Sequence, residues 1–177
     1  MASITSIIGV RVYASGDSAN SVIHGIAIDF RPGTVIHSNS FLSGENEWNK
    51  SANASFGAHL KYRFSFGEST KEGRMYRGAY QGVGASANTF FANKMLGSPV
   101  GVYVFQGAPI YRFSSRLWLG YEWNFGAMFG WKKYDVETNP LNISIGSSTT
   151  AYLNLGFLLH YSLSNRWQLN AGVEVAH

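Results

Sequence analysis

The chain of 177 residues has no cysteine, few prolines and few charged residues. Without cysteine there is no disulfide framework, no thiolate catalysis and no cysteine-bound metal. Charged residues make up 14% of the chain, whereas they make up about a quarter of an average soluble domain. No apolar run approaches the ~18 residues of a membrane-spanning helix, and no long segment repeats at helical spacing. These absences argue against both a helical membrane protein and a soluble helical protein, and they favour an all-β chain.

The sequence also has few signals for export or for a particular binding partner. Met1 is not followed by a basic start and an apolar core, so no signal peptide is visible. An outer-membrane protein needs one for export, so we expect a processed, trimmed or rearranged chain. The net charge of +4 is modest and the basic residues are scattered, so no nucleic-acid partner is expected. The histidines are dispersed and no glycine-rich phosphate loop appears, so we expect no metal site and no cofactor.

Aromatic residues and glycine are plentiful, and they occur in segments that alternate apolar with small or polar residues. The last segment is the clearest: Trp167, Leu169, Ala171, Val173 and Val175 share one face. A period of two indicates a β-strand with two different faces. Six more segments alternate similarly: Ile4 to Tyr13, His24 to Ile36, Ala52 to Phe66, Tyr80 to Phe91, Leu117 to Trp131 and Thr149 to Leu163. Val100 to Phe113 is also predicted to be a strand, but its phase is ambiguous and Pro109 lies inside it. Many reach the ~9–11 residues that a tilted membrane-spanning strand needs.

The connections differ in length in a way that is typical of outer-membrane barrels. They are short after Phe113 and Leu163 but long at Thr34 to Ser51 and Lys132 to Ser148, and such barrels have short turns at one end and long loops at the other. Only Gly67 to Arg77 is longer than this pattern favours. We therefore predict an all-β fold, an eight-stranded antiparallel transmembrane β-barrel, as a single domain over 1–177. A soluble β-sandwich stays open as the alternative.

The bulk of the two strand faces predicts which face is inside. Eight strands leave an interior just wide enough for side chains to fill it, and the apolar faces are too bulky for that space. We predict that small residues fill the interior with paired charges, namely Asp29, Arg31, Lys61, Arg63, Glu122, His160 and Glu174. The apolar faces would meet lipid, with an aromatic girdle of Tyr62, Phe64, Phe66, Trp131, Tyr161 and Trp167. No pore is expected.

Most candidate catalytic residues have a simpler explanation. Neighbours on a strand point to opposite faces, so His37-Ser38-Asn39 makes a poor base and nucleophile and is interpreted as a polar loop. His59 and His160 are predicted hydrogen-bond partners in the interior, and Glu122 and Glu174 interior charges. His177 differs because it continues the apolar row of the last strand. It is either a polar residue at the membrane interface or a reactive group held against lipid.

Several segments resemble a known family, the acyloxyacyl hydrolase-like branch of the PagL-type lipid A 3-O-deacylases. They include Tyr103-Val104-Phe105-Gln106-Gly107, Tyr121-Glu122-Trp123-Asn124-Phe125-Gly126, Gly130-Trp131-Lys132-Lys133-Tyr134-Asp135, Asn139-Pro140-Leu141-Asn142 and Ile145-Gly146-Ser147. The resemblance covers roughly Val22 to His177. It implies an eight-stranded outer-membrane barrel that acts on lipopolysaccharide acyl chains at its outside wall, with no cofactor. A His-x-Ser-Asn motif near the outer end of a late strand supplies base and nucleophile, and a downstream glutamate orients the histidine.

His177 matches the histidine of this motif. The resemblance implies that it is the catalytic base, taking a proton from a serine two positions later on the same strand face. This chain ends at His177, so the serine, asparagine and glutamate have no counterpart. We therefore expect little or no hydrolase activity from the chain as it stands.

The first residues suggest a rearranged barrel. Ile4 to Tyr13 is similar to the final strand of such barrels, which normally follows the motif. We hypothesise a circular permutation in which residues 1–21 supply that strand and a turn at Ala14 to Ser21. In that case Ile4 to Tyr13 pairs with Trp167 to His177, and Ser3 or Ser6 could approach His177.

The function predicted on these grounds is removal of an ester-linked acyl chain from lipid A in the outer membrane of a Gram-negative bacterium. The expected partners are lipid A or lipopolysaccharide and outer-membrane lipids, and a homodimer is left open. The alternatives are a non-enzymatic structural or adhesive outer-membrane barrel that acts through its long loops, and a soluble lipid-carrying barrel.

Overall fold

Eight antiparallel strands form a closed barrel in which each strand pairs with its neighbours along the chain. The computed structural model describes residues 1–14, 22–67 and 69–177. The strands are β1 (Ala2–Tyr13), β2 (Val22–Ile36), β3 (Ala54–Phe66), β4 (Tyr80–Thr89), β5 (Gly97–Arg112), β6 (Leu117–Trp131), β7 (Thr149–Ser162) and β8 (Trp167–Ala176). The predicted eight-stranded antiparallel barrel is therefore confirmed, and the strands agree with the alternating segments to within a few residues.

The barrel closes between its first and last strands. β1 and β8 are antiparallel, and their register runs from Ser3 opposite Ala176 to Val12 opposite Trp167. This is the pairing that the permutation hypothesis requires. Because any closed barrel of eight consecutive strands joins its two ends in this way, the permutation itself stays a hypothesis. The predicted turn at Ala14 to Ser21 lies, apart from Ala14, outside the described residues.

The two faces of the wall point as predicted. Lys61 and Glu122 are each 1% exposed, inside the barrel, whereas Phe125 on the outside is 55% exposed. The same division holds for the outward rows of apolar side chains on all strands, among them Ile8, Ile28, Leu60, Val83, Val102, Leu155 and Val173. An apolar exterior around a charged interior fits an outer-membrane protein. The ion pairs that occupy the middle of the interior do not favour the lipid-carrying alternative, which would need apolar space there.

One aromatic placement differs from the prediction, and the structure fixes the phase of one strand that the sequence left open. Trp131 was expected in an outward girdle, but it is 8% exposed and stacks on Phe90 at 5.2 Å between ring centroids. Gly130 has φ +88°, a conformation that breaks the alternation and turns Trp131 inward. Tyr103 and Phe105 in β5 also face inward and are 4% and 3% exposed. The sequence left the phase of this strand open.

The long connections lie at the end where β1 begins and β8 ends, which we call the loop end. Loop 37–53 contains α1 (Ser40–Ser43), and α3 (Asn93–Leu96) precedes β5; α2 (Lys71–Tyr76) lies at the opposite turn end. A buried apolar cluster closes the loop end, and its members include Phe41, Leu42, Phe90, Met95, Leu96, Trp131 and Ile145. None of the helices in the described ranges is long and apolar enough to cross a membrane.

Candidate functional site

His177 lies at the loop end, one residue past β8, where its backbone continues the sheet. Its N–H donates to Leu153 O at 2.8 Å, and its carbonyl accepts from Leu153 N at 2.9 Å. The side chain is exposed and continues the outward row of Val173 and Val175. The imidazole therefore stands where the apolar outer wall meets the polar rim, as its phase predicted.

The surroundings of His177 on the outer face are apolar. Leu153 lies opposite it on β7, and Ala2 lies opposite it on β1, one residue before the Ser3–Ala176 pair. Leu153, Val175 and Ile4 are each about half exposed beside it, at 55%, 52% and 51%. None of these described neighbours carries a hydroxyl or a carboxylate. The imidazole can accept or donate a proton here, but these four described neighbours supply neither a nucleophile nor an orienting acid.

The two serines near the start of the chain do not fill this gap. Ser3 points into the barrel and is 9% exposed. Ser6 points outward but lies opposite Val173, four residues before His177 in β8, and four residues of strand span about 13 Å. Ser6 is therefore too far from His177, and Ser3, although it borders the same small cavity as His177, points to the inner face of the wall.

Glu122 lies at the centre of a buried charge network in the barrel interior. Its Oε2 accepts from Arg11 Nη2 at 3.2 Å and from the Tyr80 hydroxyl at 3.1 Å, and its Oε1 accepts from Lys61 Nζ. Lys61 Nζ also donates to Asp29 Oδ2 at 2.8 Å. Burying an ion without an oppositely charged partner costs roughly several kcal/mol of folding free energy. The network meets that cost with paired groups from facing walls, and these groups fill the lumen.

Glu174 extends this network toward the loop end. It accepts from Arg31 Nη1 at 2.7 Å and from the Thr5 hydroxyl at 2.8 Å. Arg31 also contacts Asp29 Oδ2 at 3.5 Å. All of these carboxylates have cationic partners. Their arrangement is that of structural ion pairs inside the barrel, as expected for Glu122 and Glu174.

The two interior histidines are hydrogen-bonded to neutral partners. His59 Nδ1 lies 2.8 Å from the Tyr103 hydroxyl. His160 Nδ1 lies 2.7 Å from the Asn170 side-chain amide. With its nitrogen turned toward His160, this amide donates to Nδ1, and its oxygen accepts from Arg11 Nε at 3.0 Å. His160 also stacks on Trp118 at 3.6 Å between ring centroids. Both side chains serve the packing and hydrogen bonding that the sequence predicted.

The trio at 37–39 has a structural role in loop 37–53. His37 Nε2 lies 3.1 Å from Ala52 O, which ties the two ends of the loop together. The Asn39 side chain accepts from Leu42 N at 3.1 Å, so it caps α1. Asn39 Nδ2 also donates to Ser144 Oγ at 2.7 Å. The side chains work on separate partners, as a polar loop requires.

A small cavity of about 60 Å³ lies inside the loop end, bordered by His59, Arg31, Glu174, Trp131 and His177. It is large enough for water and too small for a lipid chain. Across the described ranges, no group of three or more histidine, aspartate and glutamate side chains could hold a metal ion.

Sequence reasoning missed Arg11 and the interior tyrosines. Arg11 is 1% exposed and pairs with Glu122. It lies in a short first strand whose two faces differ little in polarity, so the alternation is only a weak sign that it points inward. Tyr80 and Tyr103 were not named as interior residues, because aromatic residues were expected on the side that meets lipid. Tyr152 falls on the polar face of its strand in the sequence, but its hydroxyl was not recognised as a partner of the interior charges. The hydroxyls of these three tyrosines bond to Glu122, His59 and Arg31 respectively. The available signal was their phase, since they share a face with glycines.

The chain matches no protein-family model, and comparison with curated proteins and with solved structures finds no significant match.

Proposed function

We propose that this protein is an outer-membrane β-barrel of the lipid A deacylase type, with His177 as the general base of an ester hydrolysis. One observation carries the proposal: His177 is exposed on the outer face at the loop end, directly above an apolar wall. The polar headgroups of a bilayer border the end of such a wall. An imidazole at that level would meet the ester that joins an acyl chain to a sugar.

The membrane location is supported by the outward rows of apolar side chains around the barrel and by the short turns at only one end. In water, an exterior of this kind would cause aggregation. Substitution by arginine tests the location by depth. We expect Phe125→Arg, in the middle of β6, to cost about 2–4 kcal/mol of unfolding free energy in phospholipid vesicles. Ile36→Arg, at the rim, should cost about 0–1 kcal/mol; equal small costs would contradict a membrane-facing wall.

The chemistry comes from the resemblance to the deacylase family. A serine two positions after His177 would share its strand face. His177 would take the proton from this serine oxygen as the oxygen attacks the ester carbonyl carbon. The C–O bond to the sugar then breaks, and the imidazolium returns the proton to the sugar oxygen. Water, deprotonated by the same histidine, cleaves the acyl-serine and releases the fatty acid. The 177 residues do not include this serine, so we expect little or no turnover from them.

The test compares three proteins in vesicles that contain lipopolysaccharide. They are the chain as printed, the chain extended past His177 so that His-x-Ser-Asn and a downstream glutamate are present, and the extended chain with His177→Ala. Mass spectrometry of the lipid A should show loss of one acyl chain with the extended protein alone. Intact lipid A in all three samples, with each barrel shown to be folded, would remove the enzymatic proposal. Loss that persists in His177→Ala would remove His177 as the base.

A non-enzymatic adhesive barrel is the second candidate, favoured by the long loops at the loop end. Asn39 in loop 37–53 and Ser144 in loop 132–148 are hydrogen-bonded, so the two loops form one surface. Val136 and Ile143 on that surface are 73% and 68% exposed. If the protein is an adhesin, Val136→Ser with Ile143→Ser should reduce attachment of cells that display it, while His177→Ala should have no effect. Attachment equal to that of cells without the protein would exclude this candidate.

A further inference from the structure

The turn end of the barrel contains a basic cavity that the proposed deacylase chemistry does not use. We call it the arginine vestibule. It measures about 980 Å³, and its lining includes four arginines: Arg63, Arg112, Arg116 and Arg166. None of the described residues that line it is acidic. Serine hydroxyls from the neighbouring turns complete a lining rich in hydrogen-bond donors.

Two of these arginines are held by turns of the same construction. In one turn the Ser114 hydroxyl accepts from Arg116 N at 3.2 Å, and in the other the Ser164 hydroxyl accepts from Arg166 N at 3.2 Å. The carbonyl groups of both arginines also continue the sheet, since Ser162 N donates to Arg116 O and Tyr13 N donates to Arg166 O, each at 2.8 Å. Their backbones are therefore fixed before any ligand arrives.

Arg63 supplies a buried cation to the same cavity. It is 5% exposed, its Nη1 donates to the Tyr13 hydroxyl at 3.0 Å, and its guanidinium lies 3.9 Å from the centre of the Tyr80 ring. Its Nε has no hydrogen-bond partner among the described residues. None of the ion pairs in the described ranges includes Arg63, whereas Arg11, Arg31 and Lys61 are all paired with carboxylates. A buried cation without a carboxylate leaves positive charge on the inner side of the vestibule.

We propose that the arginine vestibule binds a phosphate-bearing anion. Guanidinium groups match phosphate oxygens with paired, charge-assisted hydrogen bonds, and serine hydroxyls add further donors. The phosphate could belong to the headgroup of an anionic phospholipid at the turn end or to a small phosphate compound in solution. The chemistry recognised is the same in both cases.

The experiment measures both sources on the folded barrel in zwitterionic detergent at an ionic strength of about 0.15 M, where charges more than about 8 Å apart are largely screened. Native mass spectrometry counts bound phosphatidylglycerol against phosphatidylcholine, and ¹⁵N spectra of the arginine side chains follow a titration with inorganic phosphate. Arg116→Gln with Arg166→Gln should weaken phosphatidylglycerol or phosphate binding about tenfold or more. The matched control is Lys71→Gln with Arg77→Gln, which removes two charges at the same end but outside the lining. It should change binding less than about twofold, because unspecific surface charge contributes little at a distance.

The outcomes separate the sources and can overturn the proposal. Binding of phosphatidylglycerol with no response to free phosphate supports a lipid headgroup, and a response to phosphate alone supports a small compound. Equal weakening in the two double variants would reduce the effect to general attraction and overturn the site, as would no binding of either probe. Asp17 and Glu68 lie outside the described residues. If binding appears only after Asp17→Asn with Glu68→Gln, the arginines already have carboxylate partners and the proposal is wrong.

Discussion

Glu122→Gln is the sharpest test of the buried charge network. Glu122 accepts hydrogen bonds from Arg11, Lys61 and Tyr80. Glutamine keeps the size of the side chain but removes its charge, so Arg11 loses its only carboxylate partner among the described residues. Lys61 keeps Asp29 at 2.8 Å. Breaking a buried pair costs about 3–5 kcal/mol. Because Lys61 stays paired and the amide oxygen can accept one bond, we expect about 3 kcal/mol.

The measurement is urea-induced unfolding, followed by tryptophan fluorescence and by the gel mobility of the folded barrel. Glu137→Gln in loop 132–148 is the matched control, since Glu137 is exposed, and it should change the free energy of unfolding by no more than about 0.5 kcal/mol. Arg11→Met completes a double-mutant cycle with Glu122→Gln. The double variant should lose about 0.5–3 kcal/mol less than the sum of the single variants. An effect of Glu122→Gln no larger than that of Glu137→Gln, or strictly additive losses, would refute the reasoning.

Three further predictions concern the wall and the loops. A Cβ on Gly126 would lie 2.1 Å from Val102 O, so Gly126→Ala should cost about 1–3 kcal/mol of unfolding free energy; Gly146→Ala, with nothing within 4 Å, should change it little. Asn39→Ala should remove the α1 cap and the bond to Ser144, costing about 1 kcal/mol and raising the rate of proteolytic cleavage in loop 37–53; an unchanged rate would contradict this role. Hydrogen bonds from Thr138 and Glu137 hold the pKa of Asp135 below its ordinary 3.8. A lowered pKa stabilises the turn above that pH, and the stabilisation is lost as pH falls through the folded pKa. Asp135→Asn should abolish this acid-induced loosening, as measured by amide chemical shifts of the turn.

The sequence predicted the barrel because alternation, strand length and connection length all pointed to the same architecture. Phe125 and Lys61 lie on the predicted sides because one face of each strand is uniformly bulky and the other is small or charged. The prediction that Trp131 faces outward was wrong because Gly130, with its positive φ, shifts the alternation by one residue. A pattern of apolar residues does not reveal such a shift. The inward position of Tyr103 was not predicted, because the phase of its strand was ambiguous and an aromatic residue with a hydroxyl suits either a lipid interface or a polar interior.

The candidate site was predicted less completely than the fold. The phase of His177 follows from the alternation of β8, and the structure agrees. Whether a nucleophile stands beside it depends on the register between β1 and β8, and register is set by side chains packing across strands rather than by either strand alone. The sequence could therefore suggest Ser3 and Ser6 as neighbours of His177. It could not show that Ser3 points inward or that Ser6 lies four residues away along the partner strand.

The seam between Ser3 and Ala176 joins strands that are almost the whole chain apart in sequence. Contacts of such long range form slowly, because most of the chain must be ordered before they can be made. During assembly the half-built sheet has two open edges, and its ionic inner face stays hydrated until they meet. Pairing of β1 with β8 is therefore the step that removes water from the interior ion pairs. A defect in either terminal strand should make an open, aggregation-prone sheet accumulate rather than a closed barrel of lower stability.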